Sequence, residues 1–133
     1  MCYIARLMDL QKIADAYLKY CETKAEEDRW VWGKVWDIVN GDPQTAWPLI
    51  CMLIAGATSD RLLADVAAGP LEDLLNKHGP AVITAVEKEC TNNPRLRLAL
   101  SGVWGINPGN PIFERWYALM WKYGFAEGRK NPL

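Results

Sequence analysis

The sequence has little of what common catalytic and metal sites require. It contains one histidine, His78, and four cysteines, no two of which form a Cys-x-x-Cys pair. Structural zinc sites use closely spaced ligand pairs, and phosphate-binding loops combine clustered glycines with a following Lys-Ser or Lys-Thr pair. Neither pattern is present, so we expect no metal and no cofactor.

The chain also lacks an excess of charge of one sign and a long hydrophobic run. Its formal net charge of -1 gives no electrostatic reason for general binding to nucleic acid. The longest apolar run, residues 46–57, is too short to cross a bilayer. Arg6 and Asp9 interrupt the N-terminal apolar residues and no cleavage site follows. We therefore expect a cytoplasmic protein with reduced cysteines and no membrane partner.

No segment alternates apolar and polar residues for long enough to predict a strand. Apolar residues instead recur at helical spacing between capping residues, prolines and glycines. We predict an all-α protein with a single domain over residues 1–133, in which 125–133 form a C-terminal tail. Seven to eight short antiparallel helices are expected, either as stacked helical hairpins of the HEAT type or as a compact bundle.

The chain is organised around residues 67–80. Gly69 predicts the end of one helix, and Pro70 fits the first position of the next, where its missing N–H is harmless. His78-Gly79-Pro80 repeats this pattern and predicts a second boundary. The other predicted boundaries are a capping box over residues 23–26, caps at Asp42, Ser59 and Asn93, a start at Asn110-Pro111 and a stop at Gly124.

Three segments of the chain resemble a known family. They are residues 30–50, which hold Trp-Val-Trp and a later Ala-Trp-Pro; residues 68–79, which read AGPLEDLL and end in His-Gly; and residues 95–105, which end in Gly-Val-Trp-Gly. Together they resemble uncharacterised bacterial proteins that are classed as a domain of unknown function. The resemblance covers most of the chain and implies a small bacterial cytosolic protein. It brings no established activity and no catalytic residues.

The best catalytic constellation in the sequence is an acidic pair with the histidine. Glu72 or Asp73 with His78 would suit a small hydrolase or transferase, because histidine transfers protons near neutral pH. A spacing of six does not place Glu72 and His78 on one helical face. We favour a structural interpretation, in which the two carboxylates stabilise a helix N-terminus and His78 caps a helix C-terminus. This enzyme is therefore an alternative, and no catalytic residue is assigned.

Cysteine chemistry is a weaker possibility. Cys21, Cys51 and Cys90 fall on apolar faces of predicted helices, whereas a reactive thiol needs a helix N-terminus or a neighbouring cation. We expect these three cysteines to be small core residues. Cys2 is expected to be an ordinary terminal residue.

Seven tryptophans exceed what the core of a small domain needs. We expect Trp36, Trp47 and Trp104 to be structural. Trp30 and Trp32 are two residues apart and point in different directions, so one of them should be partly exposed. The same argument applies in the last helix to Trp116 with Tyr117, and to Trp121. A tryptophan-rich core is the alternative, since partly exposed aromatic residues are common.

Exposed tryptophan is enriched at the hot spots of protein interfaces. We therefore predict a non-enzymatic protein-binding module of a bacterial system, of an inhibitor or immunity type by analogy. Its partner is another protein, and a homodimer also fits. The predicted anchors and charged rim are Trp30, Trp32, Trp116, Trp121, Glu27, Asp28, Arg115 and Lys122.

A third hypothesis is nucleic-acid binding through a basic C-terminal helix. It requires a continuous positive surface, and the near-neutral net charge argues against it. A solvated surface is the simpler interpretation of these charges. The residues that would form the basic face are Arg95, Arg97, Arg115, Lys122, Arg129 and Lys130.

Overall fold

The structure, a computed structural model, describes residues 3–126, with side chains from Arg6 onwards. Most of these residues are helical and none of them forms a strand, which confirms the predicted all-α class. One 3₁₀ turn and one π-helical segment interrupt the α-helices. In chain order the elements are α1 (Tyr3–Thr23), the 3₁₀ turn (Glu26–Asp28), α2 (Trp30–Asn40), α3 (Pro43–Gly56), α4 (Asp60–Val66), the π-helical segment (Ala67–Leu71), α5 (Glu72–Cys90), α6 (Pro94–Ser101) and α7 (Phe113–Lys122).

The apolar helix α3 lies at the centre of the fold. The Asp42 side chain accepts a hydrogen bond from the Gln44 backbone N–H at 3.0 Å, and Pro43 occupies the first helical position. From this start α3 packs against α1, α2, α4, α5 and α6. Leu49 and Ile50 are fully buried within it. Burying such a side chain stabilises the fold by about 1.5–3 kcal/mol, so the predicted central helix holds the core together.

Two further predicted caps are confirmed. The Ser59 hydroxyl accepts a hydrogen bond from the Leu62 N–H at 3.2 Å. The Asn93 side-chain oxygen accepts one from the Leu96 N–H at 3.0 Å. Each bond satisfies an N–H that has no partner within its own helix. α4 and α6 therefore begin where the sequence predicts.

The predicted helix boundary at Gly69 and Pro70 is wrong. The chain continues from α4 through the π-helical segment into α5 without leaving helical geometry. Pro70 has no N–H to donate to the carbonyl four residues back. The wider π turn compensates, because the Glu72 N–H donates to the Ala67 carbonyl, five residues back. A proline that would end an α-helix is thereby kept inside a longer helix.

A break does occur at His78, where the second boundary was predicted. Its φ of -128° and ψ of 26° lie outside the helical region, so α5 consists of two pieces that meet at a kink. Pro80 cannot donate to the Asn76 carbonyl four residues back. The side-chain amide of Asn110 donates to this carbonyl at 3.2 Å and to the Leu75 carbonyl at 3.4 Å. A distant asparagine therefore satisfies the opened turn.

Two predicted helix starts differ from the structure. Thr23 ends α1, and its hydroxyl accepts from the Ala25 N–H at 3.2 Å, so the predicted capping box with Glu26 does not form. The last helix begins at Phe113 and has no side-chain cap. The side-chain oxygen of Asn110, the predicted cap, accepts from the Ile112 N–H at 3.0 Å, and its amide nitrogen donates to α5. In both places the side chain finds a partner that helix propensity alone does not indicate.

The last helix ends at a glycine, as predicted. Gly124 has a φ of +83°, a left-handed conformation that glycine adopts without strain. The Phe125 N–H donates to the Met120 carbonyl at 2.7 Å, which completes a Schellman ending. Phe125 packs on the core and Ala126 is buried, although both were assigned to the tail. The rest of the predicted tail, 127–133, lies outside the described residues.

Candidate functional site

A small groove lies where α1, α2, the π-helical segment and the start of α5 meet; we call it the aromatic groove. Trp32 and Trp36 stand one helical turn apart on α2 and expose 54% and 50% of their surface. Asp73, on the first turn of α5, also faces the groove. The full lining is Tyr17, Trp32, Val35, Trp36, Val39, Gly69, Pro70 and Asp73.

The pattern of α2 explains why the two indoles stand beside the core rather than in it. Val31, Val35 and Val39 recur every four residues and are almost completely buried. They form the stripe with which α2 packs on the rest of the fold. Trp32 and Trp36 each follow one of these valines, so they are rotated by about 100° from it. That rotation places both rings at the edge of the buried stripe.

Tyr17 forms part of the groove floor. It is 5% exposed, and a Cβ added to Gly69 would lie 3.5 Å from its hydroxyl oxygen. Burial raises the pKa of Tyr17 well above its ordinary range, and Cys21 and the negative charges of Asp65 and Asp73 raise it further. The phenol therefore stays protonated and serves the groove as a neutral hydroxyl and an aromatic surface.

Asp73 is the charged residue of the groove lining. It makes no hydrogen bond and no ion pair with any other described residue. Partial burial raises its pKa above the ordinary value, and the neighbouring charge of Glu72 adds to this shift. Asp73 is thus a carboxylate that the fold leaves without a counter-charge.

Glu72, the adjacent carboxylate, has a different position. It faces the loop 102–112, where one of its oxygens accepts from the Trp104 N–H at 3.0 Å and the Gly105 N–H at 2.7 Å. Asn76, one turn further on, donates to the Gly105 carbonyl at 3.1 Å. We call this contact between α5 and the loop 102–112, together with Asn110 at the kink, the loop joint. Glu72 has a structural role there, although not at the helix N-terminus that we predicted.

His78 lies at the kink, away from the aromatic groove. Its Nε2 atom is buried and has no hydrogen-bond partner among the described residues, and its ring does not line the groove. The predicted role of His78 as a helix cap is wrong, because Asn110 bonds the free carbonyls of the kink. The structure therefore places Glu72 in the loop joint, Asp73 in the groove and His78 at the kink, and does not join the three as one site.

Comparison with known proteins gives a family but no activity. Residues 19–123, most of the chain, match a family of unknown function, DUF6869. The chain belongs to the DUF6869 family. This agrees with the resemblance to a domain of unknown function. No curated protein and no solved structure matches the chain.

Five tryptophans of this DUF6869 chain expose half of their surface or more: Trp30, Trp32, Trp36, Trp104 and Trp121. The exposure expected for Trp30 or Trp32, and for Trp121, is confirmed. Trp36 and Trp104 were expected to be structural, yet half of each is exposed, since the valine stripe fills the buried face of α2 and Trp104 contributes its backbone N–H to the loop joint. Trp47 is half-buried and packs against the core.

Trp116 is the one predicted anchor that the structure buries completely. Its ring packs against Phe113, with a centroid distance of 5.5 Å, inside the face that α7 turns to the core. Of Trp116 and its neighbour Tyr117, Tyr117 is the partly exposed one. Trp116 is therefore a core residue, and a partner could not reach it without opening the fold.

The predicted charged rim falls on two separate elements. Glu27 is exposed on the 3₁₀ turn, and its neighbour Asp28 lies 3.5 Å from the ammonium of Lys19. On α7, Arg115 forms a two-pronged ion pair with Glu87, and the hydrogen bond from Arg115 lowers the pKa of Glu87. Of the four predicted rim residues, Asp28 and Arg115 already have charged partners within the fold.

Several residues of the predicted basic face also have internal contacts. Arg97 and Lys122 both lie over the Tyr123 ring, at 5.0 and 5.5 Å from its centroid. Arg95 donates to carbonyl groups at the end of α3. The candidates at 129 and 130 lie outside the described residues. Arg95 thus bonds to the end of α3, and Arg97 and Lys122 cover an aromatic ring. Nucleic-acid binding stays an untested prediction.

The cysteines have the surroundings expected of core residues. Cys21 and Cys90 are buried and Cys51 is half-buried, and all three are free thiols. Burial raises the pKa of Cys51 and Cys90 to about 11, which opposes formation of the reactive thiolate. Cys2 lies outside the described residues. Within residues 3–126, no helix is long and apolar enough to cross a membrane, and no group of three or more acidic, histidine or cysteine side chains could hold a metal ion.

Proposed function

We propose that this DUF6869 protein is a non-enzymatic protein-binding module and that the aromatic groove is its main contact surface. The observation that carries the proposal is the pair of half-exposed indoles, Trp32 and Trp36, on the rim of one groove. An inhibitor or immunity role in a bacterial cell is the specific form that we propose. Trp30 and Trp121 are additional contact candidates because both are largely exposed.

The two exposed indoles are the main source of binding free energy in this proposal. A large exposed aromatic surface is unfavourable in water, and its burial in a complex releases that free energy. The valine stripe fixes the position of α2, and the indoles have few rotatable bonds, so little conformational entropy is lost on binding. Central tryptophans of protein interfaces commonly account for about 2 kcal/mol or more each. Two such rings in one groove suffice for a specific contact.

Binding is better supported than the hydrolase alternative. Glu72 already accepts two backbone N–H bonds, and His78 lies at the kink rather than in the groove. A general acid–base pair needs both groups within reach of one substrate. The described residues show no such pair around the aromatic groove.

Affinity capture from the native host tests the proposal. The tagged wild-type protein and the Trp32→Ala/Trp36→Ala variant are used as baits, and mass spectrometry quantifies the captured proteins. We expect a specific partner with the wild type and at least about a tenfold loss with the double variant, since a tenfold loss corresponds to only about 1.4 kcal/mol. Trp121→Ala is the comparison variant, because it removes an exposed indole of α7 that does not line the groove, and its loss should be smaller than that of the double variant.

The fold of each variant is checked by circular dichroism and thermal unfolding. Both groove indoles lie outside the buried valine stripe, so the helical spectrum should stay unchanged. Equal capture of the same partner by the wild type and a folded double variant would overturn the proposal. Equal losses with the double variant and Trp121→Ala would also count against the groove as the main surface.

A further inference from the structure

We propose that the aromatic groove takes a cationic side chain, lysine or arginine, that the partner protein presents. This inference rests on the proposed function and names the chemistry that the groove recognises. Three observations carry it: a carboxylate without a counter-charge, two indoles on the rim, and an apolar floor.

The charge of the groove is negative and unbalanced. Asp73 lines it, and no lysine or arginine does. The charge of Asp65, on α4, also acts on the floor residue Tyr17, and one carboxylate oxygen of Asp65 is buried without a hydrogen-bond partner in the described part of the chain. A cation that enters the groove would meet the carboxylate of Asp73 and no lysine or arginine among the lining residues. This complementarity selects a basic group over an acidic one.

The aromatic residues favour a cation for a second reason. Indole rings carry negative charge on their faces, and cations over a tryptophan face gain about 0.5–2 kcal/mol. Trp32 and Trp36 lie on the rim, and the Tyr17 ring forms part of the floor. Sites that combine aromatic rings with a carboxylate suit ammonium and guanidinium groups, because a single cation contacts the rings and also pairs with the carboxylate.

The floor suits the stem of such a side chain. Val35 and Val39 line the groove and are 2% and 1% exposed, so they present an apolar base. The methylene groups of lysine and arginine pack on apolar surface while the charged end stays near polar groups. Asp73, at the rim, is positioned to meet that charged end. A purely apolar occupant would instead cover Asp73 without compensating its charge.

The test uses a defined probe rather than the unidentified partner. The capped tripeptide acetyl-Gly-Lys-Gly-amide is titrated into isotopically labelled protein, and the indole N–H signals of the tryptophans are followed by NMR. We expect concentration-dependent shifts of the Trp32 and Trp36 signals and no shift of Trp121. The same peptide with an acetylated lysine keeps the stem and loses the charge. It should give no comparable shift.

Two variants separate a specific contact from general attraction. Asp73→Asn should weaken binding of the lysine peptide about three- to fivefold, as expected for a partly exposed ion pair. Asp37→Asn is the matched control, because Asp37 is an exposed carboxylate of α2 that does not line the groove. Its affinity should equal that of the wild type. Tetramethylammonium tests whether a free cation suffices; we expect shifts of the same two signals, weaker than those of the peptide.

Three outcomes would overturn this inference. They are the absence of shifts at Trp32 and Trp36, equal shifts with the acetylated peptide, or equal weakening by Asp73→Asn and Asp37→Asn. The failures of the two proposals are distinguishable. If the double tryptophan variant loses a captured partner while the lysine peptide causes no shift, the groove binds protein but recognises something other than a cation.

Discussion

Glu72 and Asp73 are neighbours in the sequence, yet they serve two regions with opposite properties. Glu72 faces the loop joint, where it accepts two backbone N–H bonds. Asp73 faces the aromatic groove, where no described residue bonds to it. A rotation of about 100° between successive helical residues separates the two environments. Two carboxylates at the same end of one helix therefore differ: one has a structural role, and the other has no bonding partner within the described fold.

The rest of each region repeats this difference. In the loop joint, Asn76 and Asn110 bond to backbone groups. The side chains of Ile112 and Glu72 leave no space for a Cβ at Gly79 and Gly105. In the groove, large rings stay half in water and a carboxylate lacks a partner. The polar groups of the loop joint are already bonded within the fold, whereas the indoles and the carboxylate of the aromatic groove remain available to a ligand. Variants of the joint should therefore change folding, and variants of the groove should change binding.

The largest stability effect should come from Glu72→Ala. It removes a charged acceptor from the Trp104 and Gly105 N–H groups, and hydrogen bonds to charged groups contribute about 1.5–3 kcal/mol. Because the site is partly open to water, we expect the free energy of unfolding to fall by about 2–3 kcal/mol. Urea unfolding measures it. Asp73→Ala is the control and should change stability by less than about 0.5 kcal/mol. Equal losses of stability for the two variants would show that Glu72 and Asp73 do not differ in structural role.

Two glycine substitutions, one in the loop joint and one in α2, should change the free energy of unfolding in opposite directions. A Cβ at Gly79 would lie 2.6 Å from a side-chain carbon of Ile112, so Gly79→Ala should lower the free energy of unfolding by about 1–2 kcal/mol. Gly33, in the middle of α2, has no atom within 4 Å of the corresponding position. Gly33→Ala should raise stability by about 0.5–1 kcal/mol through helix propensity. Thermal unfolding compares both, and a stabilising Gly79→Ala would contradict the close packing of the joint.

The sequence predicted those features of the fold that depend on neighbouring residues. Caps at Asp42, Ser59 and Asn93 bond N–H groups within one turn, and Gly124 needs only its own backbone conformation. The apolar composition of α3 indicated a central position. These features depend on neighbouring residues or on composition, and tertiary packing does not change them. The arrangement as stacked hairpins is a longer-range property and stays a prediction.

The sequence could not show where proline would be tolerated or which tryptophans would be buried. Pro70 ends an α-helix by local rules, but the π turn rescues the hydrogen bonding of the residues around it. α2 carries apolar residues on nearly all sides, so its sequence alone does not say whether the valines or Trp36 face the core. The repeat of valine at 31, 35 and 39 was the available signal. Trp116 posed the same ambiguity on α7.

The groove was missed for a different reason. Its charged and aromatic members, Tyr17, Trp32, Trp36 and Asp73, come from three helices that are far apart in the chain. Each looked ordinary on its own: Tyr17 belonged to an apolar stripe, and Asp73 to the first turn of a helix. Only tertiary packing reveals that the carboxylate lacks a partner. In contrast, the prediction of exposed tryptophans at the start of α2 needed only the spacing of two residues.

The smallest effect is the pH dependence of stability, whose sign distinguishes the unpaired Asp73 of the groove from a carboxylate that is paired within the fold. Partial burial and the charge of Glu72 raise the pKa of Asp73 above 3.8 in the folded chain. Asp73 therefore contributes stability that is fully present below its unfolded pKa and is lost as the pH rises through the folded value. Asp73→Asn should match the wild type in acid and become slightly more stable towards neutral pH.

Glu87→Gln provides the opposite case, since the hydrogen bond from Arg115 lowers the pKa of Glu87. The ion pair stabilises the fold above the unfolded pKa and is lost as the pH falls through the lowered value. This variant should be less stable than the wild type at neutral pH, by less than about 1 kcal/mol for so exposed a pair, and equal to it in acid. Denaturant midpoints measured from about pH 3 to pH 7 compare all three proteins. If Asp73→Asn followed the curve of Glu87→Gln, Asp73 would already have a cationic partner within the fold, and the groove would have no unbalanced charge to offer a ligand.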